Sequence, residues 1–129
     1  MIYFPDSNIF VTLIKRRIDP AHELVFRYGH VNLATCGMVR TEVLRGIRPN
    51  KIHDRVQGLL DVMMNVHTSP ALWEAAAALG RQMMLTGITI KGPDLIIAAS
   101  AMHMGATVVT FDSDFSRVPG LRWERPAWL

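Results

Sequence analysis

The stretch LIIAASAMHMGATVVTF, residues 95 to 111, carries no charge when His103 is neutral, and Gly105 divides it into a helix-like and a strand-like half. It falls short of the ~20 apolar residues that a membrane-spanning helix needs. Its expected place is therefore the interior of a soluble domain. The helical half, PDLIIAASAMHMG, has Pro93 in its first turn and apolar residues on nearly every side, the pattern of a central helix packed on a sheet.

The rest of the chain alternates around that unit. MIYFP reads as a short buried strand, and NIFVTLIKRR as a helix that Asp6, Ser7 or Asn8 can cap. Asp19-Pro20 opens a second helix to about Tyr28, closed by Gly29, and VNLAT is the next strand. From Gly37 the spacing Val39, Val43, Ile47 predicts a helix stopped by Arg48-Pro49. Residues 51 to 65 continue as helix, with a short strand from Asn65 to His67, and a helix from Pro70 ends near Gly87. ATVVTF is a strand, DSDF a turn, and LRWE a last strand. Strands alternating with helices predict an α/β domain with a mainly parallel sheet and right-handed crossovers. The 129 residues are the length of one such domain, and half of them are apolar.

With Cys36 as the only cysteine, an internal disulfide or a thiolate zinc cluster is excluded, which fits a reducing compartment. IFVTLI is too short for a signal peptide, so the expected location is the cytoplasm. The net charge of +3 modestly favours a polyanionic partner. Basic residues crowd the segment from Lys15 to Arg55, and Arg16, Arg17, Arg45 and Arg48 are the choice for phosphate contacts, since they lie on or just after helices beside the expected crevice.

In an open parallel sheet the strand ends and helix starts on one edge form the ligand crevice. Asp6 and Asp112 each follow a strand there, Asp94 sits in the first turn of the central helix, and Glu42 flanks a buried stripe after the second strand. Each has an ordinary alternative: Asp6 as a helix cap, Glu42 as a partner of Arg45, Asp94 on the helix dipole, Asp112 and Asp114 as turn residues. Gathered together, carboxylates repel, and burial raises the cost of ionising them unless a cation neutralises the cluster. Mg²⁺ or Mn²⁺ suits hard oxygen ligands, and such ions activate water for in-line attack on a phosphodiester.

DSNIF, TCGMVRTEVLRG and GPDLIIAASAMHMGATVVTFDSDFSRVPGL, in this order and spacing, resemble the PIN-domain proteins, and especially the VapC-type ribonuclease toxins of toxin–antitoxin pairs. The resemblance spans nearly the whole chain. It implies a single three-layer α/β/α domain over residues 1 to 129, whose acids bind Mg²⁺ or Mn²⁺ and cleave single-stranded segments of RNA. By position, Asp6, Glu42 and Asp94 match the core acids of the family. The fourth position offers both Asp112 and Asp114; Asp112 is nearer the strand end, with Asp114 as a substitute ligand or a group behind it. Asp6 and Asp94 are expected to hold the principal ion, and Glu42 and Asp112 to complete its shell or orient the attacking water. The likeness also implies a homodimer, a cognate antitoxin whose C-terminal segment lies in or near the acidic groove, and no membrane. Cys36 stands where serine is frequent in similar sequences.

Rival readings fit less well. The histidines show neither HExxH nor a paired ligand spacing. An aspartyl phosphatase would need D-x-D where this chain has Asp6 and Asn8. Trp123 and Trp128 can stack bases or close a sheet edge. The non-enzyme alternative is a catalytically inactive PIN-like module that binds RNA or a protein.

Overall fold

A computed structural model describes residues 1–129. Five three-residue strands, all paired in parallel, make its centre. In chain order these are β1 (Tyr3–Pro5), β2 (Ala34–Cys36), β3 (Met64–Val66), β4 (Thr107–Val109) and β5 (Arg122–Glu124). β1, β4 and β5 form one ladder and β2 and β3 another, joined by a parallel bridge between Tyr3 and Leu33. The spatial order is thus β3-β2-β1-β4-β5. Phe4 faces Val108 across β1 and β4, and Cys36 faces Val66 across β2 and β3; all but Val66, at 4% exposure, are fully buried. β2, β4 and most of β1 are buried, which is why their sequences read as apolar runs.

Six helices connect the strands: α1 (Ser7–Lys15), α2 (Pro20–Tyr28), α3 (Gly37–Arg45), α4 (Lys51–Val62), α5 (Pro70–Leu85) and α6 (Gly92–Met104). The steps β1 to β2 and β2 to β3 run one way across the sheet, and the step β3 to β4 runs back. Right-handed crossovers therefore put α1 to α4 on one face and α5 and α6 on the other. The packing agrees: α1 meets α2 and α3, α4 meets α2 and α3, and α5 lies along α6. This is the expected α/β/α layering, and no helix is long and apolar enough to cross a membrane.

The helix ends follow local chemistry. Asp19 accepts a hydrogen bond from the Ala21 amide at 3.0 Å and Pro20 opens α2; Ser69 does the same for α5 at the Leu72 amide, 3.2 Å away. Gly105 closes α6 in the left-handed conformation, φ 64°, which a side chain disfavours. α6 buries Ile96 through Ala101, as its all-round apolar sequence requires. Gly80 lets α5 approach closely, since a Cβ there would sit 2.7 Å from Leu95 Cδ1.

Some boundaries differ from expectation. The strand expected at VNLAT starts at Ala34, because His30–Asn32 form a 3₁₀ turn in which Asn32 Nδ2 donates to the Tyr28 carbonyl at 2.8 Å. The helix after Pro49 stops at Val62, and β3 runs from Met64 to Val66 rather than from Asn65 to His67. The DSDF turn is the start of a 3₁₀ segment, Ser113–Arg117.

Candidate functional site

The strand order reverses between β1 and β4: from β1 the chain winds outward to β2 and β3, and from β4 outward to β5. Loops leaving the carboxyl ends of two such strands diverge and leave a crevice between them. Asp6 follows β1 and Asp112 follows β4, so the two acids flank this switch point, and the Asp6 amide donates to the Val109 carbonyl at 2.9 Å.

Asp6 is 5% exposed and tightly held. Its Oδ1 accepts the Ser7 amide at 2.8 Å, capping α1. Its Oδ2 accepts the Thr110 hydroxyl at 2.9 Å and Asn8 Nδ2 at 3.2 Å. Asn8 ties the two loops together, donating also to Thr110 Oγ1 at 3.1 Å and accepting the Phe111 amide at 3.4 Å. Thr110 Oγ1 in turn accepts the Asp112 amide at 3.0 Å, and Asp112 Oδ1 accepts the Asp114 amide at 2.9 Å. Asp112 thereby caps the 3₁₀ segment.

Glu42 enters from the second turn of α3 and Asp94 from the first turn of α6, helices that touch one another. Burial pushes the Asp6 carboxyl above its ordinary value, and the charges of Glu42 and Asp112 push the same way, against the Thr110 and Ser7 hydrogen bonds. Asp94 rises to about 6, first through burial and then through the charges of Asp6, Asp112 and Glu42, with only Lys91 opposing. The four carboxylates thus share one electrostatic field. Asp114 is not among the charges acting on Asp6 or Asp94.

A second observation runs the other way. As they stand, no three acidic, histidine or cysteine side chains converge closely enough to hold one metal ion. The electrostatic coupling reaches farther than a coordination bond, so both statements hold: the carboxylates are neighbours that do not yet share a ligation point. Glu42 Oε1 is buried and has no hydrogen-bond partner, a costly state that a cation or a water would relieve. Hard oxygens around an unneutralised negative field are the donor set that Mg²⁺ or Mn²⁺ prefers.

None of the four arginines is among the charges acting on Asp6 or Asp94. α1 is capped by Asp6 and runs away from it to Lys15, so Arg16 and Arg17, just past its end, lie roughly 14 Å from Asp6 along the helix axis. Arg17 holds a left-handed backbone with φ 60°. Arg45 ends α3 three residues beyond Glu42, Arg48 follows in the loop, and all four are exposed. The basic group that acts on the cluster is Lys91, at the N-cap of α6. Lys91 and Thr110 are not among the residues that the sequence singles out, and the part Asn8 plays in holding Asp6 is not legible there. Asn8 is read from the sequence as a possible helix cap and as the acid missing from D-x-D, and its meeting with Thr110 depends on the pairing of β1 with β4.

Comparison with known proteins follows the same lines. The family model described as the PIN domain matches residues 3–121. The chain is 29% identical over 120 residues to Ribonuclease VapC21 of Mycobacterium tuberculosis, covering 90% of this chain and 82% of that one. It is 27% identical to Ribonuclease VapC2 of Rickettsia felis, over 97% of this chain and 100% of that one. Among solved structures, VapBC2 from Rickettsia felis bound to a DNA fragment from its promoter superposes with a TM-score of 0.73 at 27% identity, covering 96% of this chain and 98% of that one. The DNA-bound VapBC of Salmonella typhimurium, at 19% identity and a TM-score of 0.76 over 96% and 97% of the two chains, shares the fold.

Proposed function

This chain belongs to the PIN-domain family, and from that premise we propose that it is an endoribonuclease that hydrolyses RNA phosphodiesters, the toxin of a toxin–antitoxin pair. The observation that carries the reading is the field of four carboxylates from four separate segments at the switch point, with Asp94 raised to about 6 and no cation of the chain paired to any of them. A fold that gathers such charges against their mutual repulsion invites a divalent ion.

Asp6 and Asp94 are the residues to hold that ion, Mg²⁺ or Mn²⁺, with Glu42 and Asp112 completing its surroundings and Asp114 as a substitute. Bound there, a divalent ion polarises a phosphoryl oxygen and makes water a better nucleophile. The chain's own residues supply orientation. Thr110 and Asn8 fix one oxygen of Asp6 and the Ser7 amide fixes the other, so this carboxylate is preorganised before substrate arrives. The free oxygen of Glu42 can accept a hydrogen bond from the attacking water. Lys91 is a cation beside Asp94 for a phosphate oxygen, and Arg45 and Arg48 are nearer along the chain to the acids than Arg16 and Arg17, which suit a more distant stretch of the RNA backbone.

The VapBC complex of Rickettsia felis supports an antitoxin as partner; a homodimer working in the cytoplasm belongs to the same proposal. Exposed apolar side chains such as Phe26 and Leu85 leave this chain surface for protein contacts.

The test is a cleavage assay of the purified chain on transfer, ribosomal and messenger RNA. Products should need Mg²⁺ or Mn²⁺, stop with EDTA, return when the ion is restored, and vanish in Asp6→Asn with the fold intact. Cleavage indifferent to EDTA or retained in Asp6→Asn rejects the reading, and RNA affinity without products belongs to the inactive binding module.

A further inference from the structure

On the β2–β3 side of the acids, the same sheet edge carries a groove of about 320 Å³ lined by Gly37, Met38, Thr41, Thr68, Trp73 and Ile96. It shares two helices with the acidic site, since α3 carries Thr41 and Glu42 and α6 carries Ile96 and Asp94, although the paired side chains leave each helix in different directions. Gly37 and Thr68 follow the carboxyl ends of β2 and β3, so the groove opens at the edge where the acids lie. A second cavity, about 280 Å³ between α5 and α6, is lined by residues such as Ala99 and Met102, roughly 7 to 12 Å farther along α6 from Asp94. Only the first opens at the sheet edge that carries the acids.

The groove has an unusual rim. Trp73, in the first turn of α5, is 52% exposed, although an indole is among the most apolar surfaces a chain can bury. Met38 and Ile96 give an apolar floor, the latter 3% exposed, while the hydroxyls of Thr41 and Thr68 offer donors and acceptors at the walls. A flat aromatic face beside an apolar slot with hydroxyl edges matches a single unpaired nucleobase: stacking is sequence-tolerant, and the hydroxyls can read the base edge. The volume is at the low end for ligand pockets, enough for one nucleotide.

The geometry points to a nucleobase subsite in this groove, in which Trp73 stacks on a base of single-stranded RNA adjacent to the phosphate held at the acids. The assignment rests on the ribonuclease reading and deepens it: Trp73 supplies affinity for a base, and discrimination among cleavage sites arises at Thr41 and Thr68, away from the carboxylates.

Binding and cleavage test it separately. In the non-cleaving Asp6→Asn protein, short single-stranded RNAs cut by the unmodified chain are titrated with Trp73 intact, with Trp73→Phe and with Trp73→Ala. Trp73→Ala should weaken binding about tenfold, and Trp73→Phe by less than about threefold. An abasic nucleotide beside the cleavage point should weaken binding to the Trp73 protein about tenfold and leave Trp73→Ala binding unchanged, because the lost partner is already missing. Equal losses for both proteins overturn the subsite. So does Trp73→Ala that keeps its RNA affinity while losing dimerisation or antitoxin binding, which assigns the groove to a protein. Should the unmodified chain cut no RNA, the ribonuclease reading fails on its own assay, whereas cleavage with additive binding losses removes the subsite alone.

Discussion

Two sets of acidic residues in this molecule live under opposite conditions. On the α2 and α4 surface, Glu23 pairs with Arg27 at 3.0 Å, Asp61 with Arg40 at 2.7 Å, and Asp19 with Arg55. Hydrogen bonds from Arg40 and Gln57 hold the Asp61 carboxyl below its ordinary value. At the sheet edge Asp6, Glu42, Asp94 and Asp112 have no ion-pair partner, and Asp6 and Asp94 are pushed upward instead. The chain has 14 lysines and arginines against 11 acids, so cations are not scarce. Lys91 is the one basic group acting on Asp94, and it forms no ion pair there, whereas Glu23, Asp61 and Asp19 are each paired with an arginine.

Charge removal should separate the two sets most sharply. Asp6→Asn or Asp94→Asn should lower the RNA cleavage rate at least about a thousandfold, while Asp61→Asn leaves the rate within about twofold. Steady-state kinetics on one RNA checks this, and equal losses in both sets would break the contrast. Removing the orienting groups should cost less. Thr110→Val deletes the hydroxyl that donates to Asp6 and accepts the Asp112 amide, and should slow cleavage by roughly 10- to 100-fold with KM little changed. A KM effect without a kcat effect would mean that Thr110 serves substrate binding.

The pH dependence of stability gives a smaller signal. Because burial and the neighbouring carboxylates push the folded Asp94 carboxyl up to about 6 from its ordinary value of 3.8, the metal-free fold binds more protons than the unfolded chain between those limits. Its contribution therefore falls as pH rises from about 4 to about 6, by on the order of 1 kcal/mol once solvent screening of a half-buried group is allowed for. Asp94→Asn should accordingly gain stability relative to the unmodified chain at pH 7 but not at pH 4, in denaturant unfolding with EDTA present. A difference that does not change with pH contradicts the repulsion argument. Arg40→Ala should do least: its pair is a surface one, and both the midpoint of thermal unfolding and cleavage should stay near those of the unmodified chain.

What the sequence made legible divides by distance along the chain. The bounds of α2 were readable from Asp19, Pro20 and Gly29 because capping acts within one turn. α6 and its buried run were readable because periodicity is local as well. The acids were readable as strand-end and helix-start residues. The network around Asp6 was not, since Asn8 and Thr110 are 102 positions apart and meet only through the parallel pairing of β1 with β4. The sequence prefers Asp112 to Asp114 for its place nearer the strand end; that the charge of Asp112 and not that of Asp114 acts on Asp6 and Asp94 depends on side-chain placement, which no local pattern encodes. The arginines were chosen by proximity in sequence to the crevice helices, and helix direction carries Arg16 and Arg17 to the far end of α1.

Titration of Mn²⁺ into the metal-free chain, followed by calorimetry or by its spin-resonance signal, probes the crevice without RNA or turnover. Saturable binding that is lost in Asp6→Asn and Asp94→Asn, yet kept in Asp61→Asn, is the predicted result. Binding that survives in both edge variants, or none in the unmodified protein, would contradict the claim that these carboxylates are gathered to hold a divalent ion.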